Sequence, residues 1–232
     1  MTSYVIPPAP VPSIPVAGSD QHFPVRRIIC VGRNYEAHAR EMGKDPTREA
    51  PFFFMKPADA IVPTGSTIPY PADTSNLHYE IEMTLAIGTG GVNIAEDKAL
   101  DHVWGYGVGI DLTRRDRQGE AKDAGRPWEW GKAFDRSAPM APLHPASKVG
   151  HIAKGRIWLA VNGKVKQDQD VADLIWSVPE IISICSKSIE LKPGDLIMTG
   201  TPAGVSAVVA GDTITGGVAG LGEISLTIGP KA

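Results

Sequence analysis

The stretch "NLHYEIEMTLAIG", residues 76–88, sets Glu80 and Glu82 two apart inside an otherwise apolar run. In an extended strand successive side chains point to opposite faces. Tyr79, Ile81, Met83, Leu85 and Ile87 then share one face, and His78, Glu80, Glu82 and Thr84 the other. Two carboxylates one pleat apart, about 6–7 Å by the strand rise, repel each other. If partly buried they need a cation or raised pKa values. A solvated strand face would accommodate them equally well, so the pair alone decides nothing. Asp111 is a candidate third carboxylate. It closes the run "GYGVGID" just before "LTRRDRQ", where an aspartate serves either as a metal ligand or as a helix N-cap. Three carboxylates suit a hard, octahedral cation such as Mg2+ or Mn2+. No His or Cys pair at ligand spacing points to zinc.

His38 and Glu41 stand three apart on a segment with helical character, so their side chains meet on one face. A carboxylate beside an imidazole orients the ring and raises its basicity, as a general base acting on water requires. An exposed helical pair has the same spacing. Lys132 lies among Trp128, Trp130 and Phe134 in "WEWGKAFD". There an ammonium either finds a buried partner or snorkels past the rings to water.

The elements that must position these residues are mostly short, Gly- and Pro-bounded apolar runs, read as strands. They are 26–32, 50–57, 66–71, 77–88 and 104–113, with three more toward the C-terminus. Asn162-Gly163 between two strand-like halves predicts a hairpin over 157–167. Residues 33–43 read as a short helix with Asn34 as N-cap and Gly43 as its stop. It has no clear apolar stripe, so weak attachment is expected. "VPEIISICSKS", 178–188, reads as a second helix with Pro179 in its first turn. Residues 1–25 carry five prolines by residue 15 and no charged side chain before Asp20. They are expected to form an extended arm, either loose, packed on the body, or crossing to a partner subunit. Residues 26–232 form a single β-rich catalytic domain in this reading.

The 232-residue chain is 42% hydrophobic and carries a net charge of −3. That charge gives no electrostatic reason to expect nucleic acid or an anionic membrane. There is no run long enough to span a bilayer and no secretory signal. Cys30 and Cys185 both sit in apolar segments, which fits free thiols in a reducing cytoplasm. Phosphate-cradling Gly-rich loops and Gly-x-Ser-x-Gly are absent. A small-molecule ligand is the expectation.

Six blocks, "CVGRNYEAHAREMG", "FFFMKP", "NLHYEIEMTLAIG", "GIDLTRRDRQ", "WGKAFD" and "IMTGTPAGV", stand in the order and spacing of the fumarylacetoacetate hydrolase family. The chain most resembles its short members that act on acylpyruvates. The resemblance implies an α+β, β-rich fold, a mixed β-sandwich roll, assembled as a homodimer. It implies one Mg2+ or Mn2+ on Glu80, Glu82 and Asp111, with His38 and Glu41 activating water from a lid and Lys132 in the active site. Arg115, Gln118 and Thr201 match substrate-contacting positions. Larger relatives add an acidic ligand from an N-terminal domain that this chain lacks. The expected reaction is cleavage of a 2,4-diketo acid, with a fumaryl acyl group as in gentisate-type aromatic catabolism. Arg33, Arg114 and Lys56 are candidates to receive a second substrate carboxylate or are solvated charges. Oxaloacetate decarboxylation and 2-oxo-diacid isomerisation or tautomerisation suit the same site. A non-catalytic β-rich binding protein would require all six blocks to be coincidental.

Overall fold

Short apolar runs bounded by Gly and Pro become strands throughout the chain. The computed structural model describes residues 2–41 and 49–231. The first half forms β1 (Ser13–Pro15), β2 (His22–Pro24), β3 (Arg27–Gly32), the helix α1 (Glu36–Glu41), β4 (Phe52–Lys56), β5 (Ile61–Pro63), β6 (Ser66–Tyr70), β7 (Leu77–His78), β8 (Ile81–Ile87) and β9 (Val103–Ile110). There follow β10 (Thr113–Arg114), α2 (Arg115–Asp123), α3 (Glu129–Lys132), β11 (Ala138–Met140), β12 (His144–Pro145), α4 (Ala146–Val149), β13 (Arg156–Val161) and β14 (Lys164–Asp170). The chain ends with α5 (Val178–Ser188), β15 (Asp195–Met198), β16 (Ala207–Val208), β17 (Thr213–Val218) and β18 (Gly222–Lys231).

The larger sheet runs β4-β3-β15-β8-β9-β11-β5, with β12 also paired to β9. It is mixed: β3 lies parallel to β15 and β11 parallel to β5, while β8 and β9 are antiparallel. A second sheet runs β14-β13-β17-β18-β6. The main core lies between the two, with Ile81, Met83, Leu85, Val108 and Ile110 from one sheet meeting Ile157, Leu159, Ile214, Ile224 and Leu226 from the other. Val178, Ile181, Ile182 and Cys185 of α5 extend this core. The result is a β-rich sandwich roll with a few short helices. Each fully buried aliphatic side chain contributes about 1.5–3 kcal/mol by leaving water, so β8 is strongly anchored.

The opposite face of the larger sheet is buried too. Ile28, Cys30, Ala86, Leu196 and Met198 pack there against Ile14, Val16 and Phe23 of the N-terminal segment. The arm is therefore only partly extended. Its second half folds back as the antiparallel pair β1–β2, because Ile14 and Phe23 have an apolar sheet face to cover. Tyr4, Val5 and Ile6 remain exposed.

Asn162 and Gly163 both take positive φ, 51° and 76°, as a type I′ hairpin turn requires. Asn34 is not a helix cap. Its side chain is fully buried, donates to the carbonyls of Trp176 (2.9 Å) and Thr199 (2.8 Å), and accepts from the Trp176 N–H (2.7 Å). It ties the chain before α1 to the segments flanking α5 and β15. The expected helix stop, Gly43, lies outside the described residues. Cys30 and Cys185 are buried free thiols.

Candidate active site

Strand β8 supplies Glu82 and fixes its direction. Ile81, Met83, Leu85 and Ile87 enter the main core, which turns Glu82, Thr84 and Ala86 to the other face. That face is not a solvated surface: Thr84 and Ala86 are fully buried, and Glu82 begins the row. The strand expected over 77–88 is broken, since Tyr79 and Glu80 belong to neither β7 nor β8. The Asp111 N–H donates to the Glu80 carbonyl at 2.8 Å, holding the bend against the end of β9. In place of two carboxylates one pleat apart, ligand atoms of Glu80, Glu82 and Asp111 all lie within 4.8 Å of one another, and all three residues are buried.

Asp111 does not cap α2; it is fully buried and faces two lysines. Lys132 is buried as well, which excludes the snorkelling reading. Its Nζ donates to Glu80 Oε2 (2.8 Å), Asp111 Oδ2 (2.6 Å) and Thr113 Oγ1 (2.6 Å). Lys56 is neither a solvated charge nor a cleft residue. Its Nζ lies behind the carboxylates, 2.8 Å from Asp111 Oδ1, and donates to the carbonyls of Leu112 (3.0 Å) and Lys132. Its approach to Asp111 is off the hydrogen-bond angle, so Asp111 Oδ1 is a buried oxygen with no hydrogen-bond donor. Arg115 donates to Glu80, to Gln118 Oε1 at 2.5 Å and to His78 Nδ1 at 3.4 Å.

The two glutamates consequently differ. Burial disfavours the charge on Glu80, but the Lys132 ammonium and Arg115 guanidinium outweigh it and hold its carboxyl well below the usual range. Glu82 has no cation within ion-pair distance among the described residues. Burial and the neighbouring Asp111 and Glu80 push its pKa well up, against one hydrogen bond of 2.6 Å from the Gly200 N–H. Gly200 is required there: its φ is +100°, and a Cβ would stand 2.7 Å from that of Asn34. A buried carboxyl group with no counter-cation among the described residues, clustered within 4.8 Å of two further buried carboxylates, fits a divalent cation with oxygen ligands.

His38 comes from α1 and is buried, and its Nδ1 lies 3.3 Å from Glu41 Oε2. Burial lowers its pKa below the ordinary imidazole value despite the pull of Glu80 and Glu41. Glu41 is oriented in turn by the Gly204 N–H, 3.2 Å from each carboxylate oxygen. His38, Glu80, Glu82, Arg115, Gln118, Lys132, Thr201 and Arg33 line one cleft together with Phe54, Trp128 and Lys122. Asp111 lies beneath it.

The family described as Fumarylacetoacetate (FAA) hydrolase C-terminal matches residues 27–229. The chain belongs to the fumarylacetoacetate hydrolase family. Within this family it is similar to the solved fumarylpyruvate hydrolase of Pseudomonas aeruginosa in complex with Mn2+ and pyruvate. That likeness is 55% identity and a TM-score of 0.97, over 99% of this chain and 100% of that one. It is 48% identical over 186 residues to fumarylpyruvate hydrolase of Ralstonia sp, covering 80% of this chain and 96% of that protein. It is also 42% identical over 202 residues to the mitochondrial oxaloacetate tautomerase FAHD1 of Homo sapiens, covering 87% and 90%. The family class is that of a metal-dependent hydrolase acting on carbon–carbon bonds.

Several residues of this fumarylacetoacetate hydrolase family site carry no sequence signal of their own. Gln167 is fully buried in β14. Its amide nitrogen donates to Thr201 Oγ1 (2.9 Å) and the Pro202 carbonyl (2.7 Å), and its oxygen accepts from the Ile81 N–H (3.1 Å). It joins the second sheet to both Thr201 and the start of β8. Arg114 stacks over Phe134 at 4.4 Å and does not line the cleft. His78 is half-buried and touches Arg115, and burial with that guanidinium lowers its pKa to about 4. Lys122 was detectable: it follows Arg115 and Gln118 at i+7 and i+4, the spacing of one helix face.

Proposed function

We propose that the protein hydrolyses the carbon–carbon bond of an acylpyruvate, with fumarylpyruvate giving fumarate and pyruvate. It would work as a cytoplasmic homodimer in gentisate-type aromatic catabolism, with residues 26–232 as one catalytic domain behind an N-terminal arm. The carrying observation is buried His38, paired with Glu41, on the same cleft as the Glu80 and Glu82 carboxylates of the cradle they form with Asp111. Similarity to the two fumarylpyruvate hydrolases supports the substrate.

Glu80, Glu82 and Asp111 would hold Mg2+ or Mn2+. When bound, such an ion supplies Lewis acidity toward substrate oxygens. His38, neutral at pH 7 and oriented by Glu41, takes a proton from water. The resulting hydroxyl adds to the acyl carbonyl carbon and the bond from that carbon to the pyruvate methylene breaks. The bond's electron pair stays with the pyruvate fragment, and a proton returned from His38 completes its methyl group. Lys132 and Arg115 place positive charge where the carbonyl oxygen becomes anionic. The Gln118 amide and the Thr201 hydroxyl, whose oxygen already accepts from Gln167, orient the pyruvate carboxylate.

The similarity to an oxaloacetate tautomerase favours a second reading, tautomerisation or decarboxylation of oxaloacetate at the same site. Tautomerisation only moves a proton, which His38 could also do, whereas cleavage of the diketo acid is the reaction that needs the activated water this pair can supply. Fumarylpyruvate, acetylpyruvate and oxaloacetate assayed side by side with Mg2+ separate the readings. Expected are Mg2+-dependent bleaching of the diketo-acid enol absorbance and stoichiometric pyruvate release, fastest for fumarylpyruvate. Faster enol–keto conversion of oxaloacetate with no diketo-acid cleavage would replace the first reading by the second. Sedimentation of the same preparation tests the homodimer.

A further inference from the structure

Among the described residues four lysine and arginine side chains line the cleft, and two of them are ion-paired with a carboxylate. Lys132 is held by Glu80 and Asp111, and Arg115 by Glu80, Gln118 and His78. Neither Arg33 nor Lys122 has a carboxylate within ion-pair distance among the described residues. Arg33 does have a ring beneath it, with its guanidinium 5.2 Å from the centre of Phe52. It takes a left-handed backbone, φ 56°, at the turn from β3 toward α1.

Position along α2 gives Lys122 its meaning. Arg115, Gln118 and Lys122 form a single row on the cleft side, and Lys122 stands about 6 Å farther along the axis than Gln118. Gln118 is buried and Lys122 exposed, so the row climbs from the floor beside the carboxylate cradle to the mouth. Phe54 and Trp128 supply apolar wall on the same cleft. A diketo acid whose pyruvate end lies on the floor therefore sends its acyl group past apolar surface toward two cations that have no carboxylate partner among the described residues.

We propose that Lys122, together with Arg33, forms a subsite for a second carboxylate at the far end of the acyl group, so that the site selects diketo diacids over neutral acylpyruvates. This rests on the acylpyruvate reading above and adds a determinant to it. Lys122 is a specificity residue, not part of the bond-breaking machinery. The contact is charge-assisted but open to solvent, so its effect belongs at the lower end for ionic hydrogen bonds, about tenfold.

Two selectivity ratios test this on the Mn2+-loaded protein. One is kcat/KM for fumarylpyruvate over acetylpyruvate. The other is calorimetric affinity for 2-oxoheptanedioate over 2-oxoheptanoate, which differ only in the far carboxylate. Lys122→Met is expected to lower both ratios about tenfold, the first through KM, and Lys122→Arg to restore them. Ratios that Lys122→Met leaves equal to wild type would overturn the subsite even if fumarylpyruvate is cleaved. A wild-type preference for the diacid that Lys122→Met abolishes would uphold it even if no diketo acid is cleaved, in which case the hydrolase reading alone fails.

Discussion

At His38 two effects oppose each other: burial lowers the pKa, while Glu80 and Glu41 raise it, and burial wins. The ring is thus neutral at pH 7 and stays neutral below its ordinary value of about 6.5. A cation on the neighbouring carboxylates acts in the same direction. Activity is carried by the neutral form, so kcat/KM should be flat near neutrality and fall as the pH drops through that lowered value. The acid limb of the pH profile, placed below about 6.5, checks this. His38→Ala should lose turnover by about a hundred- to ten-thousand-fold, the range for a removed general base, while still binding Mn2+ and oxalate by calorimetry. Wild-type turnover in that variant removes His38 from the mechanism. The His38–Glu41 pairing was legible because i,i+3 spacing survives any helix. The role of Lys56 was not, because nothing in "FFFMKP" reveals that its ammonium reaches the peptide carbonyls of residues 112 and 132.

The loop after β15 links α1 to the metal cradle. The Gly204 N–H holds Glu41, while its carbonyl accepts from the Tyr79 hydroxyl at 3.1 Å. Gly204 has φ +98°, and a Cβ would stand 2.0 Å from the Lys166 carbonyl oxygen. Gly204→Ala must shift the loop, with a stability cost of about 1–3 kcal/mol. The dyad should lose its orientation and kcat should fall at least tenfold, on the order of other small misplacements. Mn2+ affinity should persist, since β8 and the end of β9 carry the carboxylates and the one loop contact to them among the described residues, from the Gly200 N–H to Glu82, lies four residues before Gly204; parallel loss of both would show that the loop supports the cradle as well. Elements such as the Asn162-Gly163 hairpin and α5 were readable because the turn chemistry and the helical period are local. The break at Tyr79 and Glu80 was not, because the apolar alternation runs through it unaltered.

For the whole molecule, the buried carboxylates couple metal binding to stability. The folded-state pKa of Glu82 is raised, so its ionisation costs stability. That cost is absent below the unfolded value of about 4.3 and grows as the pH rises toward the folded one. Metal-free protein at pH 7 carries the penalty, and a bound cation relieves it. Mn2+ at about a hundred times its Kd should stabilise the wild type by about 2.7 kcal/mol. Glu82→Gln should raise the Tm of the metal-free protein and abolish the Mn2+-induced rise. Calorimetric unfolding with and without Mn2+ measures both, and an undiminished Mn2+ shift in Glu82→Gln would exclude Glu82 as a ligand. The apolar arm belongs to this scale too. Its prolines indicated an extended segment, but the apolar outer face of the larger sheet made residues 13–25 fold back.

The sequence by itself determined which residues are available for chemistry: the acidic pair in an apolar strand, the third acid after a glycine-rich run, and the histidine–glutamate pair. Period and turn chemistry are local properties, so they also determined that the chain is β-rich and where most elements lie. Only the tertiary structure decided that Glu80 turns out of its strand to meet Glu82 and Asp111, that Lys132 is buried among them, and that Arg33 and Lys122 share a cleft with no carboxylate partner among the described residues. Those facts depend on contacts between segments far apart in the chain, as Lys132 meets Asp111 across 21 residues and Glu80 across 52. Such contacts are set by which apolar faces must cover one another, and no local pattern records them.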